Sequence, residues 1–184
     1  MSEALPERKS SDLIYKGRVF DVTVDQIAYA DGRSVKMECV RHRGSVVLLP
    51  MIAPDRILLV RQYRYVVNRW LWELPAGTLE PDELPEAAAI RECHEEVGKI
   101  AGRAQKLLSL FPSPGFCDEE MNFFLLTNLR ERGAGEPAAH QDPDEILNVK
   151  EFLVKDVHAM IRTGEIADMK TVVGMTLITR DLEI

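Results

Sequence analysis

The sequence predicts a layered α/β fold, because short apolar runs of strand length are interleaved with longer stretches of helical spacing. The strand-like runs include Val46-Val47-Leu48-Leu49-Pro50 and Ile57-Leu58-Leu59-Val60, joined across Ala53-Pro54-Asp55. The clearest helical stretch covers residues 85–97. With 184 residues, 46% hydrophobic and 29% charged, the chain is long enough for one ordinary domain with a buried core.

Taken in order, residues 1–12 (MSEALPERKSSD) are polar, lack the apolar centre of a signal sequence, and are expected to form a flexible tail. Residues 13–43 are expected to form an N-terminal β-hairpin subdomain. There Val19, Phe20, Val22, Val24 and Ile27 lead towards Tyr29, Asp31-Gly32 supplies a tight turn, and Val35, Met37, Cys39 and Val40 return. The main domain is expected over residues 44–184. A loop rich in Trp, Pro and Gly is read from 69 to 83, placing Trp70 and Trp72 as loop anchors. In the helix at 85–97, Pro85 suits the first turn and Gly98 the stop, while Ala89, Cys93 and Val97 fall on one face. Leu84 stands where a capping Ser, Thr or Asp is expected, and a missing cap costs roughly 0.5–2 kcal/mol. Strands are expected at 106–110, 121–127 and 146–152, and helices at 154–162 and 168–179. Residues 131–144 read as a Gly/Pro/Ala-rich loop long enough to carry a function.

A net charge of −7 disfavours a nucleic-acid partner, whose binding draws most of its affinity from a basic surface. It suits a small charged ligand held locally by a few arginines and a metal. The three cysteines, Cys39, Cys93 and Cys117, have no CxxC or Cys/His spacing, so neither a disulfide framework nor a zinc site is expected. His42 and His94 likewise lack metal-ligand spacing. No uncharged apolar run reaches membrane-spanning length. A soluble cytoplasmic protein without a membrane partner is expected.

Arg91-Glu92-Cys93-His94-Glu95-Glu96 carries the chemistry. On a helix Glu92, Glu95 and Glu96 lie at i, i+3 and i+4, so three carboxylates share one face. Like charges this close repel unless something positive lies between them. Taken alone, such a run is usually a solvated acidic face with Arg91 pairing to Glu95. Its surroundings say otherwise. Gly77, five residues, Glu83, seven residues, Arg91-Glu92, then Glu95-Glu96 and Gly98 form one long spaced pattern. That pattern resembles the Nudix box, with Cys93 a small substitute at one apolar position and Lys99 a mismatch at the last.

The resemblance implies a Nudix α/β/α sandwich with a mixed sheet, and a Mg²⁺- or Mn²⁺-dependent hydrolase. Hard oxygen ligands select these ions, which accept phosphate oxygens beside carboxylates. It implies metal binding by the Ala76 carbonyl, Glu92 and Glu96, with Glu95 completing the cluster as a catalytic residue and Arg91 and Glu83 orienting it. Arg61-Gln62-Tyr63-Arg64 and Trp72-Glu73-Leu74-Pro75-Ala76-Gly77 are similar to the ADP-ribose and nucleotide-sugar pyrophosphatases of the family. Pro114 falls where that group carries a marker proline, and Glu119 follows in the same loop. The resemblance implies hydrolysis of ADP-ribose or a related nucleoside diphosphate sugar, with GDP-mannose hydrolysis or a non-catalytic nucleotide-sugar-binding module as alternatives.

Arg64 is the candidate for the substrate's phosphates or terminal sugar, because guanidinium forks match phosphate oxygens; an ion pair at a strand end is the competing role. In dimeric relatives the N-terminal hairpin is exchanged between subunits, which implies a homodimer. Phe20 could then stack on the base, with Glu38 or Arg41 bonding nearby, although ordinary core packing competes for Phe20. The general base is expected on the late loop, where Glu145 has the reach and type and Asp142 and Asp144 are rivals.

Overall fold

The computed structural model describes residues 5–135 and 148–181. They divide into two compact units: the chain up to Gly44 with Leu110–Met121, and Ser45–Ser109 with the chain from Asn122 onward.

In the first unit, β1 (Glu7–Lys16), β2 (Phe20–Ala28) and β3 (Ser34–His42) form an antiparallel sheet in that order. The expected hairpin is β2–β3, turning at Gly32 with φ of 87°. Only glycine adopts such an angle readily. The expected flexible tail is corrected in part, because Glu7 to Asp12 belong to β1. That strand is exposed along its whole length, so no alternation of apolar and polar residues announces it. Residues 113–118 are laid along β3: the Val40 N–H donates to the Phe116 carbonyl (2.7 Å), and the Asp118 N–H to the Val40 carbonyl (3.1 Å).

The second unit is a mixed α/β layer structure around a seven-stranded sheet. Its backbone runs β10 (Asn148–Leu153), β5 (Arg56–Arg64), β4 (Ser45–Ala53), β9 (Met121–Arg130), β8 (Ile100–Leu110). β6 (Arg69–Glu73) pairs with β5, and β7 (Ala76–Thr78) pairs with β4. The stretch expected as a loop at 69–83 therefore contains two short strands, and Trp70 and Trp72 sit on β6. Cation–aromatic contacts fasten that strand, with the Arg61 guanidinium 5.5 Å from the Trp70 ring and 6.0 Å from the Trp72 ring.

Alternation along β4 builds two cores. Val46 and Leu48 join Phe124, Leu126 and the apolar stripe Ala88, Ala89, Cys93 and Val97 of α1 (Pro85–Val97). On the opposite face Leu49 packs near Leu74, Phe123 and Gly174, where a Cβ at 174 would overlap Leu74. Gly174 thus lets α3 (Met169–Asp181) approach Leu74, the residue just past β6. With α2 (Val154–Thr163), these helices cover the sheet as the sequence implies. Among the described residues, no helix is long and apolar enough to cross a membrane.

Candidate active site

α1 begins and ends where its residues dictate. Pro85 occupies its first turn, and Gly98 at φ of 72° stops it, donating its N–H to the His94 carbonyl at 3.1 Å. Leu84 makes no side-chain cap bond. Burial of the apolar stripe fixes the helix's rotation, and two carboxylates go under with it: Glu92 is 8% and Glu96 5% exposed. From the middle of the helix Arg91 reaches back to Glu83. Its Nε and Nη2 each donate to Glu83 at 2.8 Å, while Nη1 donates to Glu92 at 2.7 Å and to Glu95 at 2.8 Å. The bonds to Glu83, the charge of Glu92 and the bonds to Glu92 and Glu95 raise the Arg91 pKa against the opposing effect of burial. The bond to Arg91 holds the Glu83 carboxyl below its usual range. Arg91 is thus both a helix ion pair with Glu95 and the clasp of the acidic group.

β7 brings the second half of the site. The Ala76 N–H donates to Glu96 Oε2 at 3.2 Å, and the Leu48 N–H donates to the Pro75 carbonyl at 2.9 Å. A Cβ built at Gly77 would overlap the Glu92 carboxylate, so only glycine leaves that carboxylate its place. Burial and then the Glu96 charge push the Cys93 thiol up to about 12, which makes it an inert packing group. Among the described residues, no three His, Cys, Asp or Glu side chains are arranged to hold one metal ion; Glu83, Glu92 and Glu95 face the Arg91 guanidinium. The donor set nevertheless fits a hard divalent cation. It consists of carboxylate oxygens, two of them on buried side chains, beside a glycine cradle that a Cβ would fill.

Arg64 lies in the same unit and is engaged by Glu73, a residue not singled out as functional in the sequence. Arg64 Nε donates to Glu73 Oε1 at 2.9 Å and Nη2 to Oε2 at 2.7 Å. Glu73 is 1% exposed and also accepts from the buried Lys170 Nζ. Burial pushes the Glu73 pKa up, but Arg64 and Lys170 outweigh it and hold the carboxyl below its usual value. Lys170 Nζ lies 3.1 Å from Asp168 Oδ2. A charged residue inside the apolar run Leu71-Trp72-Glu73-Leu74 was the available signal for this network.

The first unit holds the other expected substrate residues. Phe20 is not core: it is 43% exposed and lines a concavity of about 320 Å³ with Lys16, Arg18, Arg41 and Arg43. Arg41 is committed within the unit, pairing with the buried Asp25 and donating to Asp118 at 3.1 Å. Glu38 is exposed on β3 opposite Val24. Glu119 Oε1 lies 4.0 Å from His42 Nδ1. Pro114 sits in a turn in which the Ser113 carbonyl accepts from the Phe116 and Cys117 N–H groups. Glu145, Asp142 and Asp144 lie outside the described residues.

The family model of the NUDIX domain matches residues 41–171. The ADP-ribose pyrophosphatase of Bacillus subtilis is 34% identical over 88% of this chain and 86% of its own length. The GDP-mannose pyrophosphatase of Citrobacter koseri is 36% identical over 72% of this chain and 71% of its own. A crystal structure of an ADP compounds hydrolase, 20% identical, superposes with a TM-score of 0.80 over 98% of this chain and 95% of that one, and so shares its fold. The spaced glycine and carboxylate pattern from Gly77 to Gly98, the fold that assembles it and the match over residues 41–171 agree, and the chain belongs to the Nudix hydrolase family.

Proposed function

We propose that the chain hydrolyses the diphosphate of ADP-ribose or a related nucleoside diphosphate sugar, releasing a nucleoside monophosphate and a sugar phosphate. The observation that carries this reading is the placement of buried Glu92 and Glu96 against the Ala76-Gly77 cradle, with Arg91 clasping the acidic group. Nudix hydrolases generally need a divalent metal. The residues proposed to hold it are Glu92, Glu96 and the Ala76 carbonyl, with Glu95 beside them, and Mg²⁺ or Mn²⁺ suits that oxygen set. When bound, such an ion supplies neutralisation of the diphosphate and polarisation at phosphorus. The chain's own residues do the rest of the positioning. Arg91 fixes Glu83, Glu92 and Glu95 relative to one another, and Arg64 offers its Nη1 end, which Glu73 leaves open, to a phosphate oxygen. Water adds its oxygen to one phosphorus, the bridging P–O bond breaks, and the departing phosphate keeps the bridging oxygen.

GDP-mannose is the competing substrate, because a relative of that activity has a comparable identity, 36% against 34%, although over a shorter stretch of this chain. A panel of ADP-ribose, ADP-glucose, GDP-mannose, NADH and a capped-RNA mimic, with Mg²⁺ and with products identified by mass, separates the two. AMP and ribose 5-phosphate from ADP-ribose are expected. A tenfold higher kcat/KM for GDP-mannose would move the substrate, and binding without turnover of any compound would make the chain a sensor. Assembly as a homodimer through the N-terminal sheet is part of the same proposal. It is supported by the exposed Leu13, Ile14 and Tyr15 on β1, a strand too bare to be stable without cover.

A further inference from the structure

The N-terminus of α3 is built as a brace for the strand that precedes the acidic site. Asp168 caps the helix: its Oδ2 accepts from the Thr171 N–H at 2.9 Å and from the Thr171 hydroxyl at 2.5 Å. The Thr171 oxygen in turn accepts from the Leu74 N–H at 2.7 Å. Between these two residues Lys170 sends its ammonium to Glu73, and Glu73 grips the Arg64 guanidinium along two parallel bonds. Lys170 is 8% and Glu73 1% exposed, while Arg64 retains 41% of its side-chain exposure. The group facing solvent is therefore Arg64, and the two buried groups stand behind it. Glu96 and Asp168 both act electrostatically on Arg64, which places its guanidinium within reach of the acidic site's field.

A carboxylate alone behind Arg64 would fix the guanidinium less well. Buried with one counter-charge, Glu73 would compete between taking a proton and holding the arginine. With the Lys170 ammonium on Oε2 it stays ionised, and both oxygens keep their orientation to the fork. We propose that Lys170 is a positioning residue that acts through Glu73 to hold Arg64 in the geometry in which it meets the substrate's phosphates. This rests on the function proposed above, since Arg64 needs a phosphate to meet.

The test is a set of steady-state kinetics on ADP-ribose with Mg²⁺ for the wild type, Lys170→Met, Lys170→Met/Glu73→Gln, Lys170→Arg and Arg64→Ala, each with its melting temperature. Loss of a charge-assisted contact made in the ground state should raise KM by about tenfold or more in Arg64→Ala. Lys170→Met leaves Glu73 in place and should raise KM severalfold with kcat changed much less. Lys170→Met/Glu73→Gln removes both buried charges together, so it should melt near the wild type and show most of the Arg64→Ala rise. Lys170→Arg, which keeps a cation on Glu73, should recover a KM near the wild type. Adding Arg64→Ala to the double variant should produce no further rise, because the two changes remove one contact. The proposal is overturned if folded Lys170→Met keeps a wild-type KM, if its effect multiplies with that of Arg64→Ala, or, should Lys170→Met fail to fold, if Lys170→Arg and the double variant share one KM. A wild type that fails to turn over ADP-ribose or any other compound of the panel defeats the functional reading, and that result is visible before any variant is made.

Discussion

Two groups of buried carboxylates sit in the same unit and are neutralised differently. Around Glu73, two cations, Arg64 and Lys170, face two carboxylates, Glu73 and Asp168. Around Arg91, one guanidinium is shared by Glu83, Glu92 and Glu95, and Glu96 lies buried one turn beyond Glu92. The first group is complete in itself, and removing any member strands a charge. The second sets three carboxylates on one guanidinium with a fourth buried beside them, a balance under which a site gains by taking up a cation. Acidic surplus, and not burial, separates the group proposed to take the metal from the group that backs Arg64.

The largest effect expected from that difference is on Glu96→Gln, which keeps shape and removes charge from the surplus side. Turnover should fall by at least about a hundredfold while the fold survives. Mg²⁺ should raise the melting temperature of the wild type but not of this variant, because a ligand stabilises only what it binds. Near-normal turnover at saturating Mg²⁺ would remove Glu96 from the metal site. Glu73→Gln should show the reverse profile. It leaves the buried Lys170 ammonium with Asp168 alone and Arg64 without its partner, a change of the class that costs up to about 3–5 kcal/mol, and urea unfolding should report it. If Glu73→Gln were as stable as the wild type and Glu96→Gln strongly destabilised, the two groups would have to exchange roles. The smallest effect is at the helix that carries the acidic face. Leu84 is 74% exposed and caps nothing, so Leu84→Ser should stabilise the protein by about 0.5–1 kcal/mol without altering kcat/KM.

α1 was legible to the residue because its signals are local: Pro85, Gly98 and an apolar stripe at helical spacing within thirteen residues. The acidic group was legible for the same reason, since Gly77 to Gly98 is one continuous stretch. β1 was not, because a strand exposed along its whole length has no alternation to detect. β6 and β7 were hidden by their Trp-, Pro- and Gly-rich composition, which reads as loop. The commitment of Arg64 to Glu73 and Lys170, and of Arg41 to Asp25, was out of reach on other grounds. Each ion pair is a tertiary fact, and Lys170 stands 97 residues from Glu73. Lys99, the residue that departs from the family pattern, pairs with Glu131 where an apolar residue was expected. Glu131 is 78% exposed, so the mismatch is accommodated at the surface and leaves the site untouched.

The hydrogen bond from Leu74 to Thr171 has a consequence for the order in which the molecule comes together. It joins residues 97 apart in the chain, so it forms only after the intervening strands have found their places. During synthesis the acidic helix is complete long before its brace has been made. A chain interrupted ahead of Asp168 would carry Glu92, Glu95 and Glu96 in full, and lack both the Thr171 hydroxyl that accepts from the Leu74 N–H and the Lys170 ammonium behind Glu73.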